Sequence, residues 1–504
     1  MDFNHRESID LRDEPCLSGE NFAAEVRSRI EKGFRVGAFF GLPHGREDGN
    51  VGPQDVGLVA VLCRGEAGAL CALRSKPLTS YPSLTPACAE LHWFEREAHE
   101  QWGIEPEGHP WLKPIRFHAP AAFLTGEARP RPLPGQTSYF EAEGPQVHEV
   151  AVGPVHAGVI EPGHFRFQCL GEEVAHLEIS LGFQHRGIER MLRGGPDGRV
   201  MHVMENVAGD TSIGHSFAYC ALLEAMTGAE PAPRGQILRR VALELERLAN
   251  HTGDLGALAG DVGFLPTLSY CGRIRGDFLN MTALLCGKRF GRGLLCPGGV
   301  KLDVDGALIE DLLARLAAAH RDVRGAVDLS LNSDTVRMRY DDCGTVPTDM
   351  ARACGLVGVA ARASGLVRDA RAQFPVAGAT PDDIPLSKCE SGDVYARALV
   401  RSRELDFSVT YIQRALRALP EGECAAPPPD LPPNRMAVGI IEGWRGEICH
   451  VALTNAKGRF SSYKIVDPSF HNWFGLALAL RGQQISDFPL CNKSFNLSYC
   501  GHDL

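Results

Sequence analysis

Three features of the 504-residue chain bear on chemistry: a histidine-bearing turn, a charge-dense segment, and cysteines that never pair closely. In GPVHAGVIEPGHFRF, Gly153 to Phe167, strand-like runs flank a Gly/Pro turn that sets His156 at a loop tip. Histidine titrates near neutrality, so a loop His beside a carboxylate can exchange protons, whereas a lone loop His is usually just solvated. In HWFEREAHEQWGIEPEGHPWLKP, His92 to Pro114, charge and aromatics are packed as in a solvated, ion-paired helix entering a turn at Gly108. Sixteen cysteines are dispersed along the chain and no C-x-x-C occurs. Close thiolate pairs are what present two soft ligands to one side of a metal centre, so that chemistry is not provided for. Most of the cysteines read as reduced, small core residues.

The elements that must position these residues can be read from periodicity. Up to residue 118, apolar runs Val36 to Phe40, Val56 to Cys63 and Ala69 to Leu73 alternate with Gly and Pro, predicting a small α+β domain. Residues 119–146, rich in Pro, Gly and Ala, read as a linker. From Ile237 the pattern turns helical: Ile237, Val241, Leu245 and Leu248 recur at three or four residues, with Arg239, Glu246 and Arg247 between them. Ile309, Leu312, Leu313 and Leu316 repeat the signal, and Met350 to Phe374 gives a glycine-interrupted third. AAPPPDLPP, Ala425 to Pro433, cannot be helix. Beyond it Met436 to Ile441, Ile448 to Leu453 and Tyr463 to Ile465 read as strands.

Bulk properties narrow the function classes. The length asks for two or three domains. Lys and Arg total 52 against 62 acidic residues, a net charge of −10, with no basic block, which excludes nucleic acid as a partner. The longest apolar stretch, Val56 to Leu73, is broken by Arg64 and Glu66, and the start MDFNHRESIDLRDEP is polar, so neither a transmembrane helix nor a signal peptide is expected.

Longer motifs carry a resemblance. The His92 to Pro114 segment resembles a signature of the complex I 30-kilodalton subunit family, matched by Glu95, Arg96, Glu97, Gly103, Ile104, Glu107, Gly108, His109 and Pro110. Gly153 to Phe167 resembles the opening β-hairpin of the complex I 49-kilodalton subunit and of the large subunits of membrane-bound nickel-iron hydrogenases. GFQHRGIER (Gly182 to Arg190), RRVALELERLANHTGDLGALAGDVG (Arg239 to Gly263), ARASGLVRDAR (Ala361 to Arg371), DPSFHNWFGLALALRG and DFPLCNKSFNLSYCG continue the resemblance in order. Together they resemble a fused 30/49-kilodalton-type subunit, close to the formate hydrogenlyase and hydrogenase-4 group. The implied fold class is α+β: residues 1–118 a 30-kilodalton-like docking domain, 119–146 a linker, and 147–504 a mainly helical hydrogenase-large-subunit-like domain with an N-terminal β-hairpin and a C-terminal β segment.

In those hydrogenases the nickel-iron centre takes four thiolates from two C-x-x-C pairs. Set against the first pattern, ENVAGDTSIGHS puts Ala208 and Thr211 at the ligand places. Set against the second, SFNLSYCGHDL puts Ser498 and Gly501 there, with Cys500 one residue out of register. The resemblance therefore implies no metal held by the chain's own thiolates. In complex I 49-kilodalton subunits the vacated pocket receives a quinone headgroup, with a histidine and an aspartate as a coupled pair, matched here by His156 and Asp261. The family's quinone-contacting tyrosine falls on Gly209, which has no donor to offer. Glu189, Arg186 and Glu447, the last in the RGE of GWRGEICH, are further buried-charge candidates for a proton path.

The implied role is a subunit of a membrane-associated oxidoreductase complex of the NADH dehydrogenase or energy-converting hydrogenase kind. NAD and quinone binding, electron transport and proton translocation belong to such complexes. Its expected partners are an iron-sulfur small subunit carrying the cluster, and membrane antiporter-like and anchor subunits, at the cytoplasmic face of a bacterial inner membrane. The competing readings are a quinone-reducing NADH dehydrogenase-type subunit, a working formate hydrogenlyase or hydrogenase-4 large subunit, and a non-catalytic scaffold whose old cleft is closed.

Overall fold

A computed structural model of the chain describes residues 1–43, 55–65, 68–117, 137–158 and 160–504. The predicted linker 119–146 lies for the most part outside the described residues. Strands Arg35–Pro43, Val56–Arg64 and Ala69–Arg74 form an antiparallel sheet with Asp2–Asn4 at its edge, in register Phe39 to Ala60 and Val61 to Ala72. Val56 to Cys63 are buried, which is why they read as a continuous apolar run rather than an alternating one.

The helix His92–Trp102 is not the solvated helix that its charge suggests. His92 to Ala98, Glu100 and Trp102 are all buried, and Gly103, left-handed at φ 71°, ends the helix. Each buried charge has partners. Glu95 accepts from the Ser83 and Thr85 hydroxyls at 2.7 and 2.6 Å and from Leu84 N at 2.8 Å. Glu100 accepts from three successive backbone N–H groups, Ile115 to Phe117, at 2.6–3.2 Å. Arg96 donates to the carbonyls of Lys113 and Pro114. The signature is a joint, because its charges bind the chain that leads out of the small domain.

The two expected domains share a sheet. Strands Phe460–Val466, Glu447–Thr454 and Arg435–Glu442 continue onto Ser8–Asp10, with Ile9 opposite Met436. One continuous apolar core runs through both parts of the chain. Arg35 and Glu447 form a buried bidentate ion pair between the two sheets, one bond at 2.6 Å.

The helical body is built on Pro233–Asp261, whose first residue is the proline that costs a helix start nothing. It packs against Leu265–Cys286 and Val394–Arg417. Arg239, Glu246 and Arg247, expected on a solvated face, are buried. Arg239 is held by Glu224 and the Gly299 carbonyl, both at 2.8 Å, and Arg247 by the carbonyls of Glu442 and Gly443 at 2.7 and 3.0 Å. The helix is enclosed, and its charges are satisfied inside the protein rather than by water. Gly306–Leu331 matches the second predicted helix. Met350 to Phe374 divides into Thr348–Ala353, Gly358–Ala363 and Ala370–Gln373, because Gly355, Gly358 and Gly365 adopt positive φ. No helix among the described residues is long and apolar enough to cross a membrane.

Candidate functional site

The opening hairpin pairs Val147–Val152 with His164–Leu170, with Val152 opposite Phe165, and carries His156 in its turn. A cavity of about 440 Å³ lies between this hairpin, the end of the central helix and the C-terminal segment. His156, Phe165, Asp261, Phe488, Lys493 and Tyr499 are among its walls. The hairpin's apolar residues make the pocket largely hydrophobic, with a few polar groups converging on it, as ligand cavities generally are.

His156 Nε2 is 2.9 Å from the Gly163 carbonyl. A carbonyl can only accept, so Nε2 carries a proton and donates it. Asp261 ends the central helix. Burial pushes its carboxyl above the usual range, and the Lys493 ammonium pulls the other way. The negative end of the helix also disfavours the ionised form. His156 and Asp261 face the same cavity, but among the described residues no ion pair within 4.0 Å joins them. The coupled pair implied by the resemblance is thus not a direct contact here.

Sequence reasoning missed Tyr499. Its phenol is pushed up to about 12 by burial, so it remains a donor at neutral pH. The ring packs edge-on to Trp473 at 4.8 Å and lies so close to Gly163 that a β-carbon there would fall 2.6 Å from Tyr499 Cε1. Gly163 is therefore the residue that admits the tyrosine. At the family tyrosine's place, a β-carbon on Gly209 would meet no atom within 4 Å, so that position leaves open space.

The four places where thiolates would stand are otherwise engaged. Ala208 is buried. The Thr211 hydroxyl accepts from Trp444 Nε1 at 3.1 Å and lies beside Asp210, which Arg445 grips through both oxygens at 2.6 and 2.8 Å. Ser498 caps the last helix, Tyr499–Asp503, accepting from Gly501 N at 2.9 Å. A β-carbon at Gly501 would lie 2.7 Å from the Asp467 carboxylate. Cys500, one residue out of register, has its thiol pushed up to about 11 by burial and by Glu161, which keeps it protonated. A set of methyl, hydroxyl and hydrogen in place of four thiolates does not fit a nickel-iron centre.

Asp467 heads a buried hydrogen-bonded row. Its Oδ2 lies 3.0 Å from His215 Nε2, His215 Nδ1 3.0 Å from His450 Nε2, and His450 Nδ1 2.9 Å from the Tyr463 hydroxyl. All four side chains are essentially inaccessible to water.

The remaining candidates sit elsewhere. Arg186 donates to the carbonyls of Asn206, Val207 and Cys500 at 2.5–2.7 Å, tying the Ala208 segment to the C-terminal one. Glu189 accepts from Ile465 N at 2.9 Å and pairs with Lys464 at 3.0 Å. Both Arg186 and Glu189 border a second cleft, of about 620 Å³. Glu447 has both oxygens occupied by Arg35 and lines neither cavity. Its geometry is that of a fixed counter-charge.

Comparison with known proteins agrees with the motif order. Residues 57–130 match the family described as respiratory-chain NADH dehydrogenase, 30 Kd subunit, and residues 261–436 match the corresponding 49 Kd subunit. The chain is 30% identical over 440 residues to formate hydrogenlyase subunit 5 of Escherichia coli, covering 83% of this chain and 76% of that one. It is 31% identical over 350 residues to the carbon monoxide-induced hydrogenase of Rhodospirillum rubrum, 69% of this chain and 97% of that one. To NADH-quinone oxidoreductase subunit 4 of Thermus thermophilus it is 29% identical, over 68% and 90% of the two chains.

Proposed function

Because the chain belongs to the family of fused 30/49-kilodalton complex I-type subunits and membrane-bound hydrogenase large subunits, we propose that it serves such a complex without a nickel-iron centre of its own. In this reading its 440 Å³ cavity takes a quinone as substrate. The observation that supports this is the convergence of His156, Asp261 and Tyr499 on one hydrophobic cavity, while the four ligand places hold no thiolate.

Reducing a quinone to a quinol consumes two electrons and two protons. The electrons would come from the cluster of an iron-sulfur small subunit docked on this chain. Tyr499 supplies an O–H to one carbonyl oxygen. His156 and Asp261, which line the same cavity, are the polar groups available to the other. Membrane antiporter-like and anchor subunits at the cytoplasmic face of a bacterial inner membrane would complete the assembly and couple the reaction to proton translocation.

A scaffold role is the second reading. The Arg445–Asp210 pair beside Thr211 and the Asp467 carboxylate against Gly501 favour it. The open cavity lined by His156 and Asp261 weighs against it.

The test is elemental analysis and dye-linked hydrogen uptake on protein purified with its native partners, together with titration by a short-chain benzoquinone. The reading expects no nickel above background, no hydrogen uptake, and saturable quinone binding. Nickel near one per chain would overturn it, and absence of quinone binding would leave the scaffold.

A further inference from the structure

Cys343 and Cys491 come from distant parts of the chain and meet with their Sγ atoms 3.7 Å apart. Cys343 lies in the loop after Asp334–Tyr340, and Cys491 in the helix Phe488–Phe495. The approach is built into the backbone. The next loop residue, Gly344, has φ +62°, and a β-carbon there would fall 2.6 Å from Cys491 Sγ.

Beside the two sulfurs lies Arg397, 1% exposed. Its Nε donates to Ser494 Oγ at 2.8 Å, and its other nitrogens to the carbonyls of Gly392 and Gly344 at 2.7 and 3.0 Å. Every acceptor is neutral, and among the described residues no carboxylate lies within 4.0 Å of the guanidinium. A buried cation with no carboxylate in ion-pair contact, Asp393 acting on it only at longer range, favours a thiolate next to it. The hydrogen bond from Cys491 holds the Cys343 thiol below the usual range, and Cys491 is raised in return. By contrast Cys63, Cys71, Cys220 and Cys271 are each pushed up to about 12 by burial.

We propose that Cys343 and Cys491 form a reversible dithiol–disulfide site, with Cys343 as the attacking thiolate and Cys491 as the resolving thiol. The oxidant is a low-molecular-weight disulfide, RSSR. The Cys343 thiolate attacks one sulfur, forming a mixed disulfide and releasing RS⁻. Cys491, losing its proton, then attacks the Cys343 sulfur, breaks the mixed bond and releases the second RS⁻. The two protein thiols lose two electrons and two protons, and RSSR is reduced to two RSH. The bond would fix the loop 341–347 to the helix that supplies Phe488, Asn492 and Lys493 to the 440 Å³ cavity.

The full chain is equilibrated in mixtures of glutathione and glutathione disulfide, alkylated under denaturing conditions, digested and analysed by mass spectrometry. The expected result is loss of two of the sixteen alkylatable thiols in one step, with a single cross-linked peptide joining Cys343 to Cys491, reversed by dithiothreitol. Full alkylation of both cysteines at the most oxidising ratio would overturn the proposal, as would oxidation confined to other cysteines. The Arg397→Gln variant should slow native-state alkylation of Cys343 at pH 7 by about tenfold for each unit its thiol rises. An unchanged rate would overturn the assignment of Cys343 as nucleophile.

Discussion

Lys464, on the last strand of the C-terminal sheet, reaches Glu97 of the charge-dense helix, Nζ to Oε1 2.6 Å, with both side chains buried. Arg116 also holds Glu97, and Glu189 shares Lys464 at 3.0 Å. The small domain is thus joined to the large one by ionic contacts with no solvent to replace them.

Breaking that joint should be costly. Lys464→Met leaves Glu97 with one cation fewer, and the expected loss of stability is about 3 kcal/mol, the lower end for orphaning a buried ion. Burial raises the Glu97 carboxyl, but Arg116 and Lys464 more than offset it, leaving it below its ordinary 4.5. A depressed acid contributes its stability above the ordinary value and loses it as pH falls through the folded one. The cost of Lys464→Met should therefore be largest at pH 7 and shrink as pH falls below 4.5 and Glu97 takes up its proton. Urea denaturation at pH 7 and at a series of points below 4.5 reads both effects, and equal stability of the two proteins at pH 7 would refute the joint.

Restoring cysteines should not restore a metal. In the variant carrying Ala208→Cys, Thr211→Cys, Ser498→Cys and Gly501→Cys, the new β-carbon at 501 meets Asp467 at 2.7 Å. Either the carboxylate moves or the thiolate is misplaced. The expected outcome is no nickel above background. Gly501→Ala alone should cost about 1–3 kcal/mol, the range for overpacking a filled interior. An unchanged melting midpoint for Gly501→Ala would show that the place is roomier than the geometry indicates.

Tyr499→Phe keeps the ring against Trp473 and Gly163 and removes only the donor. Short-chain benzoquinone affinity should fall roughly three- to tenfold, the worth of one hydrogen bond, with little change in stability. Trp473, with its ring 4.8 Å from that of Tyr499, reports binding by fluorescence quenching. Equal affinities in the two proteins would remove Tyr499 from the site.

What could be read in advance follows from how each feature is encoded. Strands such as Val56–Arg64 announce themselves because an apolar run bounded by turn residues is a local signal. The helix Ser212–Thr227 gives no such signal. Fourteen of its 16 residues are buried, so no polar face produces a helical period. His156 and Asp261 were legible through motif order, and the structure brings both to one cavity. Tyr499 was not, because its place in the cavity wall depends on Gly163, a residue remote in the chain that admits the ring by lacking a side chain. The burial of Glu95, Glu97 and Glu100 was equally hidden, since a local reading cannot distinguish a charge facing water from one facing backbone N–H groups.

The row from Tyr463 to Asp467 has a polarity that a mutant cycle can test. Burial raises the Asp467 carboxyl, but the hydrogen bond from His215 and the Arg445 charge hold it below the usual range, so it is ionised and only accepts. His215 then donates through Nε2, and with both imidazoles neutral it accepts at Nδ1, His450 donates through Nε2 and accepts at Nδ1, and Tyr463 donates its O–H. His450→Phe would orphan two buried polar atoms, His215 Nδ1 and the Tyr463 hydroxyl, at about 1–3 kcal/mol each. Adding Tyr463→Phe to that variant removes one orphan, so the double variant should be about 1 kcal/mol more stable than His450→Phe alone, although Tyr463→Phe by itself destabilises. Denaturation midpoints of the four proteins give the coupling directly. Additive losses would mean that Tyr463 does not donate to His450, and that the row ends at the two histidines.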